Sequence, residues 1–391
     1  MKAKQPVYHD ELKSQLKNLI KIRNPRRQLT QSQLEDRYQE WIKHNSLEEY
    51  GVYVYYPWNN RLVHLLGKEE FIEMRTSRNK YKITDEEQHL LATKTIGIIG
   101  LSVGQSVALT AALERTCGKM RLADFDHLEL SNLNRLRSGV QNLGLPKTLI
   151  VAREIAEIDP YSEVELFRDG ITEENLDNFL SKDGTLDLLI EECDALPIKI
   201  KSRKSARDLR IPVVMDTSDK GMLDIERFDQ QPDRQLFHGL IPGLNQMEID
   251  NLPDAQKINI LLKLVGGMSI SSRLKSSLIE LNESIGSWPQ LSSSVALGGA
   301  ITTDVARKIL LGRPVQSGRF YVDLDEVFKE DQPVEDYTQR PAELTRERME
   351  YVLNQLSLDT PVKLDPEMAR LAVEQAAQAP PPATINHGFS F

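Results

Sequence analysis

Thr95-Ile-Gly-Ile-Ile-Gly100-Leu-Ser-Val-Gly104-Gln-Ser106 runs from an apolar stretch through a glycine-marked turn into an alanine- and leucine-rich segment. That order reads as strand, tight turn and helix: glycine permits the turn, and the helix's first N–H groups are left free to meet a phosphate. It is not the full G-x-G-x-x-G of a dinucleotide fold, because Ser102 takes the second glycine's place and Gln105 the third's. Taken alone, the turn is a weak signal, and a structural helix start is the alternative reading.

Working outward, apolar runs alternate with amphipathic stretches from Lys94 to Phe228, the pattern of a parallel sheet covered by helices. Strands are expected at 95–99, 120–123, 164–167, 186–190 and 213–215, with helices at 103–115, 147–158, 173–180 and 195–209. Pro160, Gly184 and Pro212 fall at the joins, as breakers should. Beyond them, 244–289 reads as helical and polar, 292–311 as a long core helix despite Gly298-Gly299, and 319–323 as a closing strand. Ahead of the sheet, 11–22 and 31–44 are helix-prone and 50–58 is β-prone and tyrosine-rich. The fold class expected is therefore α/β and Rossmann-like, mostly parallel, with a small N-terminal α+β accessory region over 1–75.

Composition narrows the function classes. With 391 residues, two or three domains are expected. Lys plus Arg number 49 against 58 Asp plus Glu, a net charge of -9, so bulk electrostatics favour neither nucleic acid nor an anionic membrane. Two cysteines, Cys117 and Cys193, exclude a disulfide framework and a four-cysteine zinc site. The first residues lack a signal-peptide core and no run of about 18 apolar residues could span a bilayer, so a cytoplasmic protein with no membrane partner is expected.

Asp124 ends the second expected strand, 24 residues after Gly100, where an acid can accept hydrogen bonds from a ribose. An NAD-linked oxidoreductase would share the turn and this acid. The twelve residues that begin at this acid are more specific: Asp124-Phe-Asp-His-Leu-Glu-Leu-Ser-Asn-Leu-Asn-Arg135. This segment resembles the signature of the ThiF/MoeB/E1-like adenylyltransferases, which activate the C-terminus of ubiquitin-like proteins. The resemblance continues in register with Lys147 after Gly144-Leu-Pro, with Cys193-Asp194 closing the fourth expected strand and Lys199 five residues on, and with Arg75-Thr-Ser-Arg78-Asn79 upstream.

The resemblance covers 76–325 and implies an adenylation domain that binds ATP and Mg2+. By it, Gly100 and Gly104 form the nucleotide turn, Asp124 takes the ribose, and Asn132, Arg135 and Lys147 hold phosphates. Asp194 takes Mg2+, and Arg78 reaches into the partner's site in a homodimer. The expected partner is a ubiquitin-like protein or peptide C-terminus. The chemistry needs such groups independently, since attack of a carboxylate on the α-phosphate gathers negative charge around phosphorus and pyrophosphate. Mg2+ is a hard ion satisfied by one or two carboxylates plus phosphate oxygens. Ser131 reads as a cap rather than a ligand.

The resemblance breaks at cysteine. Residues 216–254, where ubiquitin-type members carry their catalytic thiol, contain none, so neither a thioester nor structural zinc is expected. Cys193 reads as a small hydrophobe on a buried strand and Cys117 as structural. A catalytically idle nucleotide-binding module remains the alternative. At the far end, 326–391 reads as an acidic linker and then a helix, 367–380, that resembles the start of a nitroreductase-like domain. A one-base shift over Thr384-Ile-Asn-His-Gly-Phe would restore that pattern, so the hypothesis is a ThiF–nitroreductase fusion ended by a frameshift, with a disordered Pro/Ala tail as the alternative; on neither reading is FMN binding by this chain expected.

Overall fold

The computed structural model describes residues 5–244, 249, 252–266, 270, 271, 274, 277 and 285–328. All but residues 326–328 of the acidic linker and nitroreductase-like start lie outside these, as does part of the expected helical region 244–289. The chain divides into two compact units, Met1–Arg234 with Leu291–Tyr321, and Gln235–Gln290 with Val322–Phe391. In the second unit the described residues include helices at Asp254–Leu264 and Leu324–Val327.

The first unit begins with β1 (Val7–Asp10), α1 (Leu12–Ile22), α2 (Gln31–Ile42), β2 (Val52–Tyr56), β3 (Arg61–Leu65) and α3 (Lys68–Thr76). The start of α2 is written locally: Thr30 and Gln33 form a capping box that satisfies two of the N–H groups a helix leaves bare. The strands form a three-stranded sheet in the order β1-β3-β2. Leu12, Leu16 and Leu19, spaced at three and four residues, meet Tyr38 and Leu66 in a small core. Tyr56 Oη donates to Ala156 O at 3.1 Å and Tyr161 Oη to Leu66 O at 2.7 Å, fastening this region to the larger sheet.

That sheet is preceded by α4 (Asp85–Leu91) and runs through β4 (Thr95–Ile99), α5 (Gly104–Glu114), β5 (Lys119–Ala123), α6 (Lys147–Ile158), β6 (Glu163–Phe167) and α7 (Leu176–Ser181). It continues with β7 (Leu188–Glu191), α8 (Leu196–Asp208), β8 (Val213–Asp216), β9 (Met222–Glu226), the long helix Ser292–Leu310 and β10 (Gly318–Tyr321). The strand order is β10-β9-β8-β7-β4-β5-β6. Strands β8, β7, β4, β5 and β6 pair in parallel, while β9 is antiparallel to β8 and β10 to β9. Chain order reverses between β4 and β7, and the crevice at the carboxyl ends of those two strands is where such sheets bind ligands.

Most expected elements fall where the periodicity puts them, but β1, β3, α3 and α4 have no counterpart among the expected elements, and two further differences have a physical reason in the packing. Strand β9 has no counterpart among the expected strands, because Met222-Leu-Asp-Ile-Glu226 alternates apolar and acidic residues, yet all five are buried. Its acids are held by arginines: Arg319 Nε donates to Asp224 at 2.7 Å, and Arg203 Nε to Glu226 at 2.9 Å. The second difference is Cys193. It lies beyond the end of β7 and is partly exposed, because the strand closes at Glu191, short of the cysteine.

Gly298 and Gly299 have a packing reason. A Cβ on Gly298 would stand 1.9 Å from Asp216 Oδ2, and one on Gly299 would stand 2.1 Å from Ser106 Oγ. The long helix thus presses its backbone against β8 and the first turn of α5. Helix α5 carries Val107, Ala108, Leu109, Ala111 and Ala112 buried, as a helix enclosed between sheet and helix must.

Candidate nucleotide site

The site grows from the turn between β4 and α5. Gly100 adopts φ +87, which disfavours any side chain, and a Cβ there would meet Glu192 O at 2.7 Å. Gly104 supplies the close helix-to-strand approach, since its Cβ would come 2.7 Å from Ile98 Cγ2. Asp124, just past β5, accepts from Leu101 N at 2.6 Å and from Asp126 N at 2.7 Å. Each carboxylate oxygen keeps a further lone pair. Burial raises the Asp124 carboxyl above the usual range, and the positive charge of Lys147 opposes the rise.

Lys147 opens α6 and is buried, with its Nζ 2.7 Å from Asp126 Oδ2. One of its three N–H bonds is so used and two remain. Backbone hydrogen bonds fix the pairing, with Lys147 N donating to Asp126 O at 2.9 Å. Phe125, Asp126, His127, Glu129, Asn132 and Lys147 line a cleft of about 350 Å3. Phe125 is exposed, and its ring lies so close to Gly170 that a Cβ there would be 2.9 Å from Cδ1.

Asn132 lies in a 3-10 turn, Leu130–Asn134, where its Oδ1 accepts from Glu129 N at 3.0 Å. The same turn delivers Arg135, whose Nε donates to Ser102 Oγ at 3.2 Å. Partial burial lowers the guanidinium's pKa and the carboxylate of Asp194 opposes that change, so Arg135 and Asp194 sense one another across the turn. Asp194 is exposed just beyond β7 and makes no hydrogen bond or ion pair among the described residues. An unencumbered carboxylate at a strand's carboxyl end is a donor that suits Mg2+. Among the described residues no group of three His, Cys, Asp or Glu side chains could cage a metal, so a metal there would take its remaining ligands from phosphate and water.

The expected residues thus divide. Gly100, Gly104, Asp124, Asn132, Arg135, Lys147 and Asp194 gather around the carboxyl ends of β4, β5 and β7. Arg78 does not join them: it is exposed in the turn after α3 and makes no hydrogen bond or ion pair among the described residues. Its neighbour Arg75 is fixed instead, with Nη1 donating to Ile158 O at 3.0 Å and Nη2 to Ala112 O and Leu113 O at 2.8 and 2.7 Å. Lys199 is not a site group, being buried against Glu191 at 2.9 Å. Burial alone would raise the Glu191 carboxyl, but Lys199 and Arg203 bring it down to about 2.

Sequence reasoning gives no role to Asp126, although its place in Asp-x-Asp is visible, and none to Phe125. It also misses Glu192 and Asp216. Glu192 Oε1 accepts from Asp216 N at 2.9 Å beneath the glycine turn, and burial pushes Asp216 up to about 6. The surroundings of both thiols oppose the thiolate: burial pushes Cys117 up to about 12, and at Cys193 the enclosed position of the sulfur and the nearby Glu191 carboxylate push the thiol well above its ordinary value.

A model of the ThiF family matches residues 76–294, which takes in every one of these site residues. The chain belongs to the ThiF family. A Mycobacterium tuberculosis protein, uncharacterized protein MT1398, is 43% identical over 288 residues, covering 73% of this chain and 40% of that protein. The tRNA threonylcarbamoyladenosine dehydratase of Bacillus subtilis is 29% identical over 153 residues, 39% of this chain and 59% of that one. Ubiquitin-like modifier-activating enzyme 5 of Drosophila pseudoobscura pseudoobscura is 39% identical over 99 residues, 24% of each chain. The ThiF-family chain therefore spans less than two thirds of each of these relatives' lengths. No helix among its described residues is long and apolar enough to cross a membrane.

Proposed function

We propose that this chain binds ATP and activates a carboxylate by adenylylation. The observation that carries the reading is that two cations stand by the glycine turn and the cleft: Arg135 donates to Ser102 of the turn, with the Asp194 carboxylate near enough to act on its charge, and Lys147, paired with Asp126, lines the cleft together with Asn132. A dinucleotide site needs the turn and Asp124 only; cations around it are what a reaction at phosphorus requires.

In this reading Asp124 accepts from the ribose hydroxyls and the exposed face of Phe125 lies open to the base. Arg135, Asn132 and the two spare N–H bonds of Lys147 hold the phosphates. A carboxylate oxygen attacks the α-phosphorus, the bond to the bridging oxygen breaks, and pyrophosphate leaves as the acyl-adenylate forms. Asp194 would hold Mg2+, which when bound neutralises phosphate charge. Arg78, free of partners within its own chain among the described residues, would serve the site of a second copy in a homodimer.

The carboxylate we favour is the C-terminus of a ubiquitin-like protein or peptide, a class named in the Drosophila relative. The raised thiols favour direct transfer of the acyl group to an external amine, thiol or sulfur donor over a cysteine thioester. Thermal shifts with ATP and Mg2+, with NADH and with neither test the nucleotide, because a ligand of the native state alone stabilises by RT ln(1 + [L]/Kd). Stabilisation by NADH alone overturns the proposal. Pyrophosphate release then tests the reaction: Asp194→Ala should abolish turnover while ATP still binds, and undiminished release removes Asp194 from the mechanism.

A further inference from the structure

Positions 102 and 105 are those at which a dinucleotide fingerprint would carry its second and third glycines. The third glycine exists to let helix and strand pack closely, and here Gly104 does that work one position earlier, against Ile98. Position 105 is thereby released to carry a side chain, and both replacements turn toward the same stretch of chain. Ser102 Oγ accepts from Arg135 Nε at 3.2 Å. Gln105, 3% exposed, accepts from Arg137 N at 2.8 Å through Oε1 and donates to Arg137 O at 2.9 Å through Nε2.

The amide therefore clasps the Arg137 peptide as a neighbouring strand would. A third bond, from Gln105 Nε2 to Glu154 Oε2 at 3.0 Å, ties the clasp to α6. The orientation is forced: flipping the amide would set oxygen against the Arg137 carbonyl and Glu154, and nitrogen against the Arg137 N–H.

We propose that Ser102 and Gln105 are positioning residues that aim Arg135 at the phosphates of the nucleotide, replacing two glycines of the usual turn with two holders of the catalytic arginine. This rests on the ATP reading given above. It carries an unusual consequence: restoring a glycine at position 105 weakens the site. Arg135 has few other constraints, since its guanidinium otherwise donates to its chain neighbour Asn134 at 2.9 Å.

The test is a double-mutant cycle read by titration calorimetry with ATP and Mg2+, and separately with adenosine. Gln105→Met and Gln105→Gly should each weaken ATP about tenfold, the size expected when an arginine's aim is lost, and should leave adenosine affinity unchanged. Ser102→Ala, in the turn itself, should weaken ATP about threefold, as the loss of one modest hydrogen bond does. In an Arg135→Ala background each substitution should cost less than about twofold, because residues that act through one group are not additive. Full multiplication of the losses, or equal losses for adenosine, overturns the proposal and leaves the ATP reading standing. Wild-type protein that binds adenosine and ATP equally, or neither, overturns both. Should a Gln105 variant fail to fold, the Ser102→Ala cycle decides alone.

Discussion

Gly299→Ala would separate packing from propensity in the helix that backs the site. Alanine is the better helix former, and the exchange by itself should add about 0.5–1 kcal/mol. The new Cβ, however, would stand 2.1 Å from Ser106 Oγ, 2.7 Å from its Cβ and 2.9 Å from its carbonyl carbon, so Ser106 or the long helix must yield. Ser106 cannot yield freely. Its N–H donates to Val103 O at 2.9 Å and its carbonyl accepts from Thr110 Oγ1 at 2.7 Å, so it moves only with the first turn of α5. Gly299 is held too, its carbonyl accepting from Thr303 Oγ1 at 2.7 Å. Overpacking of this kind costs about 1–3 kcal/mol, leaving a net loss of up to about 2.5 kcal/mol. For a unit of this size that lowers Tm by up to about 10 °C. Differential scanning fluorimetry reads the shift, and ATP affinity should fall with it because the displaced turn carries Gly104. Adding Ser106→Gly removes the two nearest atoms, so the pair should show a coupling of at least about 1 kcal/mol. A Tm raised by Gly299→Ala, or losses that add without coupling, would refute the reasoning.

Two further perturbations address the frame around the site. Arg75→Met removes three charged hydrogen bonds to helix-end carbonyls and should cost about 2 kcal/mol or more, with Lys at the same position recovering only part because an ammonium lacks the fork. A urea midpoint within error of wild type would show that the carbonyls are satisfied otherwise. Asp216 supplies a pH dependence. Burial raises its carboxyl from 3.8 to about 6, so its contribution is fully present below about pH 4 and is lost as pH rises through about 6, on the order of 3 kcal/mol. Asp216→Asn keeps the bonds from Ser218 N and with Ser218 Oγ. Relative to wild type it should therefore be more favourable at pH 7 than at pH 4, and an equal difference at both would contradict the assignment.

How much of this is legible in the sequence depends on which features leave a periodic trace. Helix α6 begins at Lys147 and ends at Ile158 as its pattern predicts, because Pro146 precedes it and its apolar face recurs at 150, 151 and 155. Strand β4 is an apolar run whose two ends both coincide with the expected ones. Strand β9 is hidden because Asp224 and Glu226 carry charge into the core, and only their partners Arg319 and Arg203, distant in sequence, explain it. Within the proposed site, Asp124, Arg135, Lys147 and Asp194 are the residues that the twelve-residue signature and its register with the strand ends single out. The clasp of Gln105 on Arg137 leaves no trace, because a glutamine at a glycine's position reads as a departure from pattern until its partners are seen.

The stretch shared with the ThiF family, 76–294, and the stretch that keeps the site rigid have different edges. Arg75 lies one residue before it and bolts together the far ends of α5 and α6, whose near ends carry Gly104 and Lys147. Gly298 and Gly299 lie just after it, in the helix that lets α5 sit where it does. The shared stretch holds the residues of the proposed site, while the packing that mounts them extends past it on both sides. Anyone transplanting or excising this domain along its homology borders would therefore cut the bolts and keep the blade.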